Sequence, residues 1–189
     1  ITVFAPATVA NVACGFDIFG FAVDNPGDQI TLTASPEPGV RIIDIIGDEG
    51  RLPREANRNT ASIAIQTYLQ HINRTDVGVD VVLRKKMPLG SGLGSSAASA
   101  VAGVFAINEL LNRPLTVRQL IPFAMEGERI ACGSAHADNV GPSLLGGFCV
   151  IRSYQPLDVI RVNTPASIYC TIVHPDIEVN TKAVSYTHL

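Results

Sequence analysis

Apolar and polar residues alternate with period two in several stretches of this chain and recur at helical spacing in others. ITVFAPAT opens with strand-forming residues and stops at Pro6, which predicts a short strand running into a loop. ANVACGFDIFG, punctuated by glycines, reads as that loop. In DQITLTAS, Ile30, Leu32 and Ala34 alternate with polar neighbours, the mark of a half-buried strand. VRIIDIIG is a further strand, followed by the loop DEGRLPREANRN. The period then changes. In NTASIAIQTYLQHINR, Ile63, Thr67 or Tyr68, and Ile72 recur at helical spacing, and Asn59 is placed to cap the helix. VGVDVVLRKKM returns to period two with Val79, Val81 and Leu83, and Pro88 closes it. An alanine-rich run predicts a helix from Ser95 to Leu111, broken by NRPL. Thr116 and Gln119 form a capping box for the next helix, and Pro122 inside that pattern predicts a kink or a late start. GGFCVIRSY, DVIRVNT and ASIYCTIVHP read as further strands. The sum is a strand-rich α+β pattern without internal repeats.

A chain of 189 residues makes one domain, or one domain and part of another. With 47% apolar residues it can bury a real core. A net charge of −3, 6% aromatics and no Trp speak against nucleic acid, which favours basic faces and stacking platforms. No run of about 18 apolar residues is present, so no membrane span is expected. The first residues lack the basic region of a signal peptide, which points to the cytoplasm. Cys14, Cys132, Cys149 and Cys170 are widely spaced, which disfavours a zinc site; they read as reduced, mostly buried thiols. The chain starts at Ile1 and stops at NTKAVSYTHL in mid-pattern, and so reads as a fragment of something longer.

The stretch PLGSGLGSS concentrates chemistry. A strand ends at Pro88, and Gly90, Gly92 and Gly94 allow positive φ or close backbone approach. Ser95 and Ser96 follow at the start of a helix whose first amides have no internal partner and carry the positive end of the dipole. Strand, glycine turn and helix N-terminus together bind phosphate. Glycines alone could also serve a tight strand-to-helix junction. The pattern lacks the Lys of a Walker A loop and is one residue tighter than a dinucleotide fingerprint. Without that Lys, a divalent cation is the natural neutraliser, and Mg²⁺ needs only a hydroxyl and a carboxylate beside the phosphate oxygens. Two other stretches attract notice. Asn11 and Asp17 share a glycine-containing loop, which could present both to a ligand or form an Asx turn beside a solvated acid. Glu126, Glu128, Arg129, His136, Asp138 and Asn139 crowd near two glycine turns in MEGERIACGSAHADNVGPSLLGG.

PLGSGLGSSAA resembles the phosphate-binding motif of the galactokinase, homoserine kinase, mevalonate kinase and phosphomevalonate kinase (GHMP) family, matching it from Pro88 to Ala98 without departure. The resemblance implies an ATP-dependent phosphotransferase. Pro88, Leu89, Gly90, Ser91, Gly92, Leu93, Gly94, Ser95, Ser96, Ala97 and Ala98 would wrap the nucleotide phosphates, with Asn59 and Thr60 near the adenine. Ser96 and Glu128 would hold Mg²⁺. The stretches PATVANVACGFDIFG and GSAHADNVGPSLLGG further resemble the homoserine kinase branch of that family. That likeness implies L-homoserine as the small-molecule substrate, held by Asn11, Asp17, His136 and Asn139, its cationic amino group paired with Asp17. Positioning would dominate the transfer, with Asp138 the candidate for a general base.

The family fold implied is a ribosomal-protein-like N-terminal ATP-binding domain with a left-handed βαβ crossover, expected here over residues 1–155. Residues 156–183 would begin a ferredoxin-like C-terminal domain that is incomplete. Related enzymes bind the substrate carboxylate with later arginines, the first falling where this chain has Ser185, so residues 184–189 read as a tail of different origin. Weak binding and poor turnover are expected of this stretch by itself. A homodimer is implied by the resemblance alone. The competing readings are a kinase of the same family acting on another small alcohol, such as mevalonate, and a non-catalytic RNA-binding module of related fold.

Overall fold

The computed structural model describes residues 1–133, 135–165 and 168–173. One mixed sheet contains β1 (Thr2–Val12), β2 (Gly15–Ser35), β3 (Gly39–Ile46), β4 (Gly78–Arg84), β5 (Phe148–Tyr154) and β6 (Leu157–Val162). The helices are α1 (Thr60–His71), α2 (Ser95–Leu110), α3 (Ile121–Cys132) and α4 (Val140–Leu145). The sheet runs β3-β4-β2-β5-β6, with β1 paired to β2. β2 is its spine: Ile30 faces both Val3 and Leu83, and Gly20 faces both Ala10 and Cys149. β3 and β4 pair in parallel and are joined through α1, whereas the other pairings are antiparallel.

Each element follows from its pattern where the pattern is strong. Val79, Val81 and Leu83 are buried against Ile30 and Leu32, as period two requires. The Asn59 side chain accepts the Ala61 amide at 3.1 Å and starts α1. Gln119 accepts the Thr116 amide at 2.9 Å, and α3 begins late, with Pro122 in its first turn, where a missing amide costs nothing.

Helix α2 packs on β1 and β2 and touches α1 and α3. Its first turns are buried all round, from Ala97 to Val104, because alanines and Gly103 let neighbours approach on every side. Gly127 of α3 makes a similar approach: a Cβ there would lie 2.5 Å from the Thr60 carbonyl oxygen and 2.9 Å from Ala100 Cβ.

Several expectations are corrected. Pro6 does not end β1; the strand bulges between Pro6 and Thr8 and continues to Val12, a place where a missing amide is tolerated. The presumed loop ANVACGFDIFG is a tight hairpin, with Val12 opposite Gly15. The sheet itself runs on through the β5–β6 hairpin to Val162. No strand forms over the described part of ASIYCTIVHP. Tyr169 is 95% and Val173 83% exposed, with no neighbouring strand among the described residues to pair with them. Residues 174–189, including Ser185, lie outside the described residues. Cys149 is buried as expected, but Cys14, at the hairpin tip, and Cys170 are exposed; the Cys132 side chain lies outside the description. No helix among the described residues is long and apolar enough to cross a membrane.

Candidate active site

The glycine-serine turn folds as a cup. Gly90, Gly92 and Gly94 all adopt left-handed φ, at 71°, 73° and 67°. Gly94 is the N-cap of α2 and offers no side chain to it, so the first helical amides are left for an external acceptor. A Cβ on Gly92 would meet nothing within 4 Å, so the turn is open on that side. The turn borders a cavity of about 460 Å³ that also receives Asn11, Leu52, Arg58, Asn59, Thr60, Ser99, Glu128 and Asn139. Ser91 Oγ is buried at this wall without a hydrogen-bond partner among the described residues. An unsatisfied buried hydroxyl costs about 1–3 kcal/mol, which a bound oxyanion would relieve.

Beneath the turn lies Lys85, which lines the cavity and is buried against Asp28. Burial depresses its ammonium below the ordinary lysine value, while Asp28, Glu128 and Asp48 act to keep it charged.

Beside the cavity, the tip of the β1–β2 hairpin holds three left-handed residues other than glycine: Asn11, Ala13 and Asp17. Such strain concentrates at functional sites. The Asp17 amide donates to Asn11 Oδ1 at 2.8 Å, which ties the two together. Asp17 Oδ1 lies 3.4 Å from His136 Nδ1. Tyr154 clamps this pair of loops: its hydroxyl donates to the Asp17 carbonyl at 3.2 Å and accepts the Ala137 amide at 3.3 Å. Asn139 Oδ1 accepts the Thr8 hydroxyl at 2.7 Å, which fixes the side-chain amide, and Asn139 lines the cavity. Asp138 is 3% exposed and accepts the Asn139 amide at 3.0 Å. Burial pushes its carboxyl above the usual carboxylate range; His136 opposes the shift and Asp17 adds to it.

The residues singled out from sequence divide clearly. Leu89, Gly90, Ser91, Gly92, Gly94, Ser95, Ser96, Asn59, Thr60, Glu128, Asn11 and Asn139 share the one cavity wall. Asp17, His136 and Asp138 adjoin Asn11 and Asn139 without lining the cavity, and the side chains of Asp17 and His136 are partly exposed. Leu93, Ala97 and Ala98 are core residues, and Pro88 is exposed outside the cavity. Asn59 spends both polar groups on structure, its amide nitrogen donating to the Pro53 carbonyl at 3.0 Å. Glu126 is turned to Arg129 in an exposed pair. The sequence reading missed Thr8, Asp28, Lys85, Ser99 and Tyr154. A signal existed for two of them. Lys85 continues the inward face of Val79, Val81 and Leu83, and Asp28 that of Ile30 and Leu32, so each is a charge in a core register.

Known proteins resemble this arrangement. Residues 59–147 match the family model of the GHMP kinases N terminal domain. The homoserine kinase of Chlorobium phaeobacteroides (strain BS1) is 51% identical over 191 residues, covering 96% of this chain and 59% of that protein. The homoserine kinase of Chlorobaculum tepidum is 49% identical, with the same coverage of 96% and 59%. A crystal structure of homoserine kinase from Cytophaga hutchinsonii superposes with a TM-score of 0.94 at 61% identity, over 98% of this chain and 59% of that one. The mevalonate kinase of Methanococcus jannaschii, at 17% identity and a TM-score of 0.67 over 87% of this chain and 56% of its own, shares the fold. The chain thus spans about 59% of the length of the curated relatives it matches. On these matches, the chain carries the GHMP kinases N terminal domain over residues 59–147 and has the fold of the homoserine kinase structure it superposes on.

Proposed function

We propose that the protein to which this chain belongs is a homoserine kinase, transferring the γ-phosphoryl group of ATP to the hydroxyl of L-homoserine. The observation that carries the reading is the shared cavity: the phosphate cup and the Asn11–Asn139 wall open into the same space. Likeness to homoserine kinases at about 50% identity supports the choice of substrate.

The α2 amides and the cup fit the nucleotide phosphates. Ser96 and Glu128, a hydroxyl and a buried carboxylate on the same wall, fit Mg²⁺, which prefers few protein ligands. When bound, that ion neutralises phosphate charge. Asp17 carries the charge to pair with the substrate ammonium, and Asn11, His136 and Asn139 supply donors and acceptors for the remaining polar groups. Asp138 accepts the backbone N–H of Asn139, so it acts by fixing the turn that presents that residue. Phosphoryl transfer needs alignment and charge neutralisation more than proton removal, and this site offers the former.

The test is ADP release by the full-length protein with L-homoserine or mevalonate, comparing wild type with Ser96→Ala and Asp17→Ala. Losing one charge-assisted contact should lower kcat/KM about 10- to 100-fold in each variant. Turnover with mevalonate and none with L-homoserine would defeat the proposal.

A further inference from the structure

A buried ion pair lies outside the motif and touches both of its stems. Asp28 comes from β2 and Lys85 directly follows β4; their side chains are 1% and 2% exposed. On the strand side, Asp28 Oδ1 accepts the amides of Lys86 at 2.7 Å and Met87 at 3.2 Å, the residues that lead into the turn. On the helix side, Asp28 Oδ2 accepts the hydroxyl of Ser95, the first residue of α2, at 2.8 Å, and it also pairs with the Lys85 ammonium. Lys85 Nζ adds two more bonds on the helix side, donating to the Ser95 carbonyl at 2.9 Å and the Ser99 hydroxyl at 2.6 Å.

Such a pair is a poor way to gain stability alone. Burying each ion costs several kcal/mol, and apolar residues of equal volume often do as well. What an apolar pair cannot do is bind five separate groups, two on the strand stem and three on the helix stem, to one carboxylate and one ammonium. The turn between the stems is built on left-handed glycines and has little stiffness of its own. Its curvature depends on how far apart the stems are held.

We propose that Asp28 and Lys85 are positioning residues for the phosphate cup, fixing the separation of its stems and thereby the aim of its amides. The inference rests on the kinase reading of the turn and adds residues outside the motif to it. It predicts an effect on nucleotide phosphate and none on the alcohol substrate, whose side of the cavity is held by Thr8, Tyr154 and Asp138.

The experiment uses the full-length protein with MgADP as probe. Asp28→Asn keeps the size and one acceptor oxygen but removes the charge that holds Lys85. MgADP affinity by calorimetry should fall about tenfold or more, while the KM for L-homoserine stays within about twofold. Amides 89–96 should exchange with deuterium faster, and those of β1 and β2 should keep their protection. The double variant Asp28→Asn/Lys85→Met leaves no unpaired charge and serves if the single variant does not fold; it too should bind MgADP weakly. A folded variant of either kind with wild-type MgADP affinity and wild-type loop exchange would overturn the inference. Wild-type protein that binds MgADP without phosphorylating L-homoserine would remove the substrate proposal alone, and absence of MgADP binding by wild type would remove both.

Discussion

Gly94 is where the phosphate cup and the substrate wall touch, and replacing it by alanine isolates that contact. Its φ of 67° is left-handed, which costs an L-residue about 1–2 kcal/mol. The new Cβ would also sit 2.2 Å from Thr8 Oγ1 and 2.8 Å from Asn139 Oδ1. Those atoms form a hydrogen bond of 2.7 Å, and Thr8 is fully buried. Making room breaks the bond and strands its groups, adding about 1–3 kcal/mol. The total is about 2–5 kcal/mol. Gly92→Ala is the matched control. Its φ of 73° brings the same backbone cost, but its Cβ would meet nothing within 4 Å. The difference between the two variants is therefore the steric contact alone, about 1–3 kcal/mol. Equilibrium urea unfolding of both proteins, with the slope unchanged, measures it. Equal destabilisation of the two, within about 0.5 kcal/mol, would show that Thr8 and Asn139 yield freely and that the cup and the wall are independent.

Tyr154→Phe removes the clamp between the hairpin tip and the 135–139 loop while keeping the ring. The KM for L-homoserine should rise about 3- to 10-fold with MgADP affinity unchanged; a matching loss for both ligands in steady-state and calorimetric measurements would contradict the assigned geometry. Asp138→Asn tests the buried carboxyl. Because its folded pKa lies above its ordinary 3.8, Asp138 contributes stability that is complete below that value and is lost as pH rises through the folded pKa. The melting temperature of wild type relative to Asp138→Asn should therefore fall as pH is raised from acid toward neutral, and a flat difference would show that burial does not hold the proton.

The elements with strong periodicity were legible in the sequence, and so was the cup. β4 and α1 follow their apolar spacing, α2 follows its alanine-rich run, and PLGSGLGSSAA announces its chemistry because glycine, serine and helix start are contiguous. The hairpin tip was misread because Pro6 and the glycines signal a break locally, whereas pairing with β2 overrides them through a bulge. Tyr154 was invisible for another reason. It meets Asp17 across 137 positions of sequence, and nothing in its own neighbourhood marks it. Asp28 and Lys85 fall between these cases: each was visible as a charge in a core register, but only the register between β2 and β4 shows that they meet.

The near contact of Gly127 with Thr60 bears on the acid one position later. The obstacle to a methyl group there is a backbone carbonyl, which no rotamer change can move aside. Alanine at 127, though a better helix former by about 1 kcal/mol, would push α3 away as a rigid rod and carry Glu128 with it. The reach of that carboxylate is thus set by the spacing of two helices more than by its own torsions, and an atom missing from its neighbour is what calibrates it.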